Sequence, residues 1–304
     1  MDGTNKRKIL LCGPCSIHSV VEALEYARKL SALQKRVEST FIILMRAYFE
    51  KPRTAVGWKG FIHDPDLDGS SNLAKGLVHA RKLLNEITNI GLPVAVEALD
   101  PMLPQYYFDL VSYASIGART VESQTHRELA SGLSMPVGLK NATTGDVDVA
   151  INAIKAAAYP HSFIGINENG ELCRVLAKGN KYANLILRGG TQPNYDSASV
   201  KAAQEKLRAQ KLSENVIIDC SHGNSSKNHA NQPLVFENVV NQIIGGNSKI
   251  IGLMLESNLE ESSQGIPKDL TQLKKGVSIT DACIGWKTTQ QIVLAAHEKL
   301  SAIT

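Results

Sequence analysis

The alternation of short strand-like runs with longer helical segments constrains the fold of this chain more than any other feature of its sequence. Eight apolar or β-branched runs are separated by segments whose apolar residues recur every three or four positions, which is the spacing of an amphipathic helix. Such alternation is typical of parallel sheets, because parallel strands must be joined by crossover connections. Eight units of this kind predict a closed (β/α)8 barrel, a TIM barrel, rather than an open doubly wound sheet.

The predicted elements follow one another along the whole chain. The predicted barrel strands are residues 8–12, 40–45, 93–96, 115–118, 136–139, 184–187, 215–219 and 249–255, and the clearest helical segments are residues 20–33, 73–87, 147–157 and 197–209. Residues 162–167 and 172–176 are also strand-like, but the gap between them is too short for a crossover helix. They therefore predict an antiparallel β-hairpin inserted before the sixth barrel strand. No linker or repeat interrupts the pattern, so residues 1–304 are expected to form a single catalytic barrel domain.

The composition argues against several classes of protein. The net charge is +4, and the positive residues are spread along the chain, so a nucleic-acid partner is not expected. The five cysteines are odd in number and scattered, which argues against a secreted disulfide framework. The sequence shows no signal peptide and no run near the roughly 18 apolar residues of a membrane span. We therefore expect a cytoplasmic protein without a membrane partner.

Positively charged residues lie where several predicted strands end. In a (β/α)8 barrel these carboxyl ends meet on one face, and that face carries the active site. The cations at or just beyond these ends are Arg46, Lys51, Arg119, Lys140 and Arg188. Because an unpaired buried charge is unfavourable, five cations on one face predict anionic ligands with more than one phosphate or carboxylate group.

A second set of strand-end residues has the chemistry of metal ligands. Its members are Cys15, His222, Glu256 and, slightly further on, Asp281. Thiolate, imidazole and carboxylate together suit one divalent transition metal, although these ligands do not select between Zn²⁺, Fe²⁺, Mn²⁺ and Co²⁺ by affinity. Each residue alone has a structural explanation, such as a buried apolar cysteine or a helix-capping aspartate. The metal hypothesis depends on all four lying at the same end of the barrel.

Six unbroken motifs then carry a resemblance to a known family. They are residues 13–18 (GPCSIH), 45–54 (MRAYFEKPRT), 117–120 (GART), 187–190 (LRGG), 219–222 (DCSH) and 278–286 (SITDACIGW). Through them the chain closely resembles type I 3-deoxy-D-arabino-heptulosonate 7-phosphate (DAHP) synthase, in its longer feedback-regulated subgroup. The resemblance implies a metal-dependent, aldol-type transferase that condenses phosphoenolpyruvate with D-erythrose 4-phosphate and water. The products would be DAHP and phosphate, in the first step of the shikimate pathway to aromatic amino acids.

The resemblance also implies a role for each candidate residue. Cys15, His222, Glu256 and Asp281 would bind one divalent metal ion (Mn²⁺, Fe²⁺, Co²⁺ or Zn²⁺). The phosphoenolpyruvate site would comprise Arg46, Lys51, Glu97, Arg119, Lys140 and Arg188, and the erythrose 4-phosphate site would comprise Lys51, Pro52, Arg53 and Thr54. Lys51 and His222 would be catalytic, with proton transfers assigned to Lys51 or to a water on the metal.

Two alternatives remain open at this stage. The related synthase that uses arabinose 5-phosphate carries a Lys-Ala-Asn-Arg-Ser type of loop, whereas this chain has Lys51-Pro52-Arg53-Thr54, which favours erythrose 4-phosphate. The other alternative is a catalytically weak relative that acts as a binding or regulatory partner of a full-length enzyme. Because every candidate site residue is present, an active enzyme is favoured.

The amino-terminal region departs from the family pattern. Members of the subgroup carry a longer segment before the first barrel strand, and that segment helps to form the dimer and the inhibitor pocket. Here only residues 1–8 precede the apolar part of that strand. We therefore expect a homo-oligomer (dimer or tetramer) and inhibition by an aromatic amino acid to be weakened, although Asp100, Gln105 and Ser134 of an inhibitor pocket are recognisable.

Overall fold

The computed structural model describes residues 4–302, and they fold around a closed barrel of eight parallel strands. The strands are β1 (Lys8–Gly13), β2 (Phe41–Arg46), β3 (Val94–Glu97), β4 (Tyr113–Ile116), β5 (Val137–Lys140), β6 (His161–Ile166), β7 (Leu172–Ala177), β8 (Asn184–Leu187), β9 (Val216–Asp219) and β10 (Ile250–Glu256). All except β6 and β7 belong to the barrel, which closes where β1 pairs with β10 and places Gly13 opposite Glu256. The predicted (β/α)8 barrel is confirmed.

Helices surround the barrel and cover its outer face. They are α1 (Val20–Val37), α2 (Leu73–Asn89), α3 (Pro104–Tyr107), α4 (Gln124–Gly132), α5 (Asp148–Ala157), α6 (Ser197–Ala209), α7 (Gln232–Ile244) and α8 (Trp286–Ser301). Side-chain caps fix three of their starts, because Ser19 accepts from the Glu22 N–H, Asn72 from the Lys75 N–H, and Asp196 from the Ala198 and Ser199 N–H groups. No helix within residues 4–302 is both long and apolar enough to cross a membrane.

Two apolar cores hold these layers together. The smaller core fills the barrel interior with side chains from alternate strand positions, namely Leu11, Leu44, Ala95, Tyr113, Ile186, Ile217 and Met254. The larger core lies between the strands and the helices, where Leu30, Leu83 and Val239 are completely buried. Each fully buried Leu or Ile side chain stabilises a fold by about 1.5–3 kcal/mol. The two cores therefore stabilise the barrel that carries the polar face at the strand ends.

The predicted hairpin is confirmed as well. β6 and β7 pair in antiparallel fashion, with Phe163 opposite Val175, and form a separate two-stranded sheet before β8. The hairpin lies against α4, since a methyl group added at Gly132 would sit 3.2 Å from the Phe163 ring.

The other predicted strands agree with the structure to within one residue at each end, and the fourth barrel strand departs most from its prediction. The fourth barrel strand was expected at residues 115–118 but spans Tyr113–Ile116. It stops because Gly117 opens a tight turn, in which its carbonyl accepts from the N–H groups of Thr120 and Val121. Arg119 therefore lies within a turn beyond the strand end.

Candidate active site

A cavity of about 440 Å³ opens at the carboxyl ends of the barrel strands. Most of the predicted site residues line it: Lys51, Pro52, Arg53, Thr54, Glu97, Arg119, Lys140, Arg188, His222, Glu256 and Asp281. Cys15 and Arg46 lie directly behind this lining, where Cys15 contacts Lys51 and Arg46 contacts Glu256. The fold therefore brings the two predicted sets, cations and metal donors, to one place.

Three of the four predicted metal ligands converge closely. One donor atom each from Cys15, Glu256 and Asp281 lies within 4.8 Å of the other two, and Cys15 Sγ is 3.7 Å from Asp281 Oδ2. Burial, reinforced by the Glu256 charge, raises the pKa of the Cys15 thiol to about 11. A cation is therefore what would favour its thiolate form at neutral pH. Thiolate plus carboxylate oxygens fit a divalent transition metal, so this is a candidate metal site.

The fourth predicted ligand, His222, points its Nε2 toward the carboxylate of Glu256. This nitrogen lies 3.6 Å from Glu256 Oε1, while Nδ1 lies 2.9 Å from Asp219 Oδ2. A carboxylate that accepts a hydrogen bond from Nδ1–H leaves Nε2 unprotonated and able to bind a metal, which is the arrangement seen in metal-binding histidines. The backbone of His222 has a φ of 56°, in the left-handed region that residues other than glycine adopt uncommonly.

Asp219 is a supporting residue that the sequence-based site prediction did not include. It is completely buried at the end of β9, and its Oδ2 lies 3.0 Å from Lys140 Nζ as well as next to His222. Burial alone would raise its pKa, but the interactions with His222 and Lys140 outweigh burial and hold the pKa well below the usual range. The available signal was its position as the last residue of a predicted strand, three residues before a proposed ligand.

Four strand-end residues, Cys15, Arg46, Lys140 and Glu256, form what we call the floor of the site. All four are at most 4% exposed. The Arg46 guanidinium lies 3.2 Å from Glu256 Oε1 and 4.0 Å from the centre of the Tyr48 ring. Arg46 and Lys140 thus already have anionic partners within the protein, which reduces the charge that they offer to a ligand.

Lys51 lies between the floor and the cavity. Its Nζ is 3.1 Å from Cys15 Sγ and 3.3 Å from the Cys15 carbonyl oxygen. Burial alone would lower the pKa of Lys51, but the surrounding acidic groups, Cys15 and Glu256 foremost, outweigh burial and raise it. Lys51 is therefore a protonated ammonium group at neutral pH.

Three exposed residues, Arg53, Thr54 and Arg119, form what we call the rim. Arg119 Nη2 donates to Thr54 Oγ1 over 3.3 Å, so the loops after β2 and β4 meet at the cavity mouth. Arg188 lies deeper and half-buried, and its burial lowers its pKa. The Asn141 side chain accepts from the Arg188 N–H at 2.8 Å, which ties the end of β8 to the end of β5.

Glu97 contributes an acceptor to the same cavity. The residue is 7% exposed, and within residues 4–302 its Oε1 has no hydrogen-bond partner. The carboxylate lies against Gly117, where an added methyl group would come within 2.3 Å of Oε1. A ligand that donates a proton or carries positive charge would satisfy this oxygen.

Comparison with known proteins agrees with this geometry. The model of the DAHP synthetase I family matches residues 1–294. The chain belongs to the DAHP synthetase I family. Its resemblance to type I DAHP synthases, inferred above from six motifs, is thereby confirmed, and so is its assignment as an enzyme.

Individual members of the DAHP synthetase I family are similar over nearly the whole chain. The enzyme of Escherichia coli called phospho-2-dehydro-3-deoxyheptonate aldolase, Tyr-sensitive, is 52% identical over 299 residues, which are 98% of this chain and 84% of that protein. The Trp-sensitive enzyme of Enterobacter agglomerans is 46% identical over 99% of this chain and 86% of its own length. The solved aldolase structure from Francisella tularensis superposes with a TM-score of 0.95 at 47% identity, covering 98% of this chain and 87% of that one.

Proposed function

We propose that this chain condenses phosphoenolpyruvate with D-erythrose 4-phosphate and water, giving DAHP and inorganic phosphate as the first step of the shikimate pathway. One observation carries the proposal: the metal-donor cluster and the cations share a single cavity at the carboxyl ends of the strands. That combination suits a reaction between two phosphorylated anions, one of which presents an aldehyde.

Phosphoenolpyruvate would occupy the deep part of the cavity. Arg119, Lys140 and Arg188 would hold its phosphate, with Arg46 and Lys140 near its carboxylate. Lys140 and Arg46 are buried and fixed by Asp219 and Glu256, so their positive charge is oriented before any substrate arrives. Glu97, which lines the cavity, would lie beside the enol phosphate.

The aldehyde substrate would lie nearer the mouth, with its phosphate on the rim. Arg53 and Thr54 would bind that phosphate, together with Pro52 as part of the loop, and Lys51 would lie between the two substrates. The contact between Arg119 and Thr54 supports this arrangement, because it joins the loops that would hold the two phosphate groups.

Cys15, His222, Glu256 and Asp281 would hold the divalent ion, which we expect to be Mn²⁺, Fe²⁺, Co²⁺ or Zn²⁺. The chemistry that such an ion supplies when bound is polarisation of the aldehyde carbonyl. C3 of phosphoenolpyruvate forms a bond to the aldehyde carbon, and the protonated Lys51 Nζ gives its proton to the aldehyde oxygen. Water then adds at C2 and returns one proton to Lys51. The bond from C2 to the phosphate oxygen breaks, the C2 carbonyl forms, and phosphate leaves with the second proton of the water. Asp219 keeps the His222 ring oriented throughout.

The reaction is tested on metal-stripped protein that is reloaded with saturating Mn²⁺. We expect consumption of phosphoenolpyruvate and release of phosphate with erythrose 4-phosphate, and far less with arabinose 5-phosphate. Absence of turnover with both aldehydes would contradict the proposed reaction. A Lys51→Met variant with near-normal turnover would remove Lys51 from its role as proton donor.

Two further features belong to the same proposal. The five cysteines are all unpaired in the structure, which suits the reducing cytoplasm. We therefore infer a cytoplasmic enzyme whose residues 1–304 act as a single catalytic domain on small phosphorylated substrates.

A further inference from the structure

Gln232 holds the backbone of Glu256, although no sequence pattern singled it out. It is the first residue of α7 and is completely buried. Its Nε2 donates to the Glu256 carbonyl oxygen over 3.0 Å, and its Oε1 accepts from the Glu256 N–H over 2.9 Å. Both polar groups of the side-chain amide therefore bind the main chain of one residue.

The end of β9 explains why this contact exists. In a parallel sheet, alternate residues direct their N–H and C=O groups toward the same neighbouring strand. Met254 is still bonded on the β9 side, because the Cys220 N–H donates to its carbonyl over 2.9 Å. At Glu256, two residues after Met254, β9 no longer runs alongside. The Gln232 side-chain amide supplies the donor and the acceptor that a further peptide group of β9 would have provided. On the opposite side, the Ser257 N–H donates to the Gly13 carbonyl over 2.9 Å.

Glu256 is the residue on which the candidate metal site converges. Its carboxylate lies 3.2 Å from Arg46 Nη2 and 3.6 Å from His222 Nε2, and it belongs to the cluster with Cys15 and Asp281. The Glu256 carboxylate can keep all these contacts only if the backbone of Glu256 is fixed as well. Loss of the Gln232 amide would leave the buried Glu256 N–H without an acceptor, which is energetically unfavourable. The backbone at Glu256 would then shift to give this N–H another partner.

We propose that Gln232 is a positioning residue that holds Glu256 in place for metal binding. The inference rests on the proposed function, since it requires Glu256 to be a ligand. Gln232 would not be a ligand itself, because both polar groups of its amide already bind the main chain of Glu256. Changes to residues that orient metal ligands typically weaken affinity by about 10–100-fold, and we expect a loss in that range.

The test is a Gln232→Met substitution, which keeps side-chain length but removes both hydrogen bonds. Metal-stripped protein is titrated with Mn²⁺ alone, and free Mn²⁺ is followed by electron paramagnetic resonance, so no turnover is needed. The matched control is Gln204→Met. Gln204 is also buried, and its amide exchanges two hydrogen bonds with Asn247, at 3.1 and 3.2 Å, far from the cavity lining. We expect Gln204→Met to lower stability while leaving Mn²⁺ affinity within about twofold.

Each outcome decides the question. A weakening of 10-fold or more in Gln232→Met alone supports the inference. Wild-type affinity in a folded Gln232→Met protein overturns it and leaves the proposed function untouched, whereas a wild-type protein that binds none of Mn²⁺, Fe²⁺, Co²⁺ and Zn²⁺ overturns both. If Gln232→Met does not fold, Gln232→Asn replaces it, because the shorter side chain stays polar but cannot reach both main-chain groups of Glu256. Unchanged affinity in that variant also overturns the inference.

Discussion

The floor and the rim of the cavity are built in different ways. Floor residues are buried at the ends of barrel strands, and Arg46 and Lys140 are held there by Glu256 and Asp219. Rim residues are exposed on loops and contact one another across the cavity mouth. Charges on the floor are therefore oriented when the chain folds, while charges on the rim stay available to a ligand.

This difference corrects a simple count of positive residues. Five strand-end cations look equally free in the sequence, but Arg46 and Lys140 are each paired with a buried carboxylate. The net attraction for substrate phosphates therefore falls more on Lys51, Arg53, Arg119 and Arg188. Substitutions on the floor should change folding and metal binding together with turnover, and substitutions on the rim should change substrate binding alone.

The largest effect is expected for Cys15→Ala, which removes a proposed metal ligand from the floor. Mn²⁺ affinity should fall by more than about 100-fold, because changes around a ligand already cost 10–100-fold. Turnover should be lost with it. Isothermal titration with Mn²⁺ measures the affinity.

Cys12→Ala is the matched control for that substitution. Cys12 is equally buried, but its Sγ contacts the Tyr26 hydroxyl at 3.2 Å. The Cys12→Ala protein should therefore be less stable than the wild type but should bind Mn²⁺ with wild-type affinity. Retention of wild-type affinity in Cys15→Ala would show that the floor holds its metal without the thiolate.

Lys140→Met should have the largest effect on stability. It leaves Asp219 buried with one cation fewer, and breaking a buried ion pair typically costs about 3–5 kcal/mol. Urea unfolding of metal-free protein measures the loss. In the double variant Lys140→Met/Asp219→Asn the uncompensated charge disappears, so stability should largely return while turnover stays absent. A double variant as unstable as Lys140→Met alone would contradict the pairing of floor charges.

The sequence predicted the barrel and the hairpin because both leave periodic patterns. Strand-helix alternation and the short gap between β6 and β7 are local patterns that can be read from a single sequence. The boundary of β4 was missed because a single glycine turn, not the apolar run, decides where that strand ends. Local patterns thus identify elements better than they identify the last residue of each element.

The site was predictable only in part, for a related reason. Strand ends identify which residues reach the cavity, but they do not tell which charges neutralise one another there. Asp219 contacts Lys140, and Gln232 contacts Glu256, and in both pairs the partners are distant in the chain. Such contacts form only when the barrel closes. No spacing of aspartate or glutamine residues along the sequence would identify them.

The smallest effect is expected on the rim, for Arg53→Ala. Loss of one charge-assisted contact to a phosphate is worth about 1.5–3 kcal/mol, or roughly 10–150-fold in binding. The KM for erythrose 4-phosphate should therefore rise within that range, with kcat and the KM for phosphoenolpyruvate nearly unchanged. The free energy of unfolding should stay within about 0.5 kcal/mol, since Arg53 is exposed. Lys201→Ala, which removes an exposed cation from α6, is the control and should change neither constant. A fall in kcat at constant KM would mean that the rim takes part in the chemical step, and the distinction between floor and rim would then fail at Arg53.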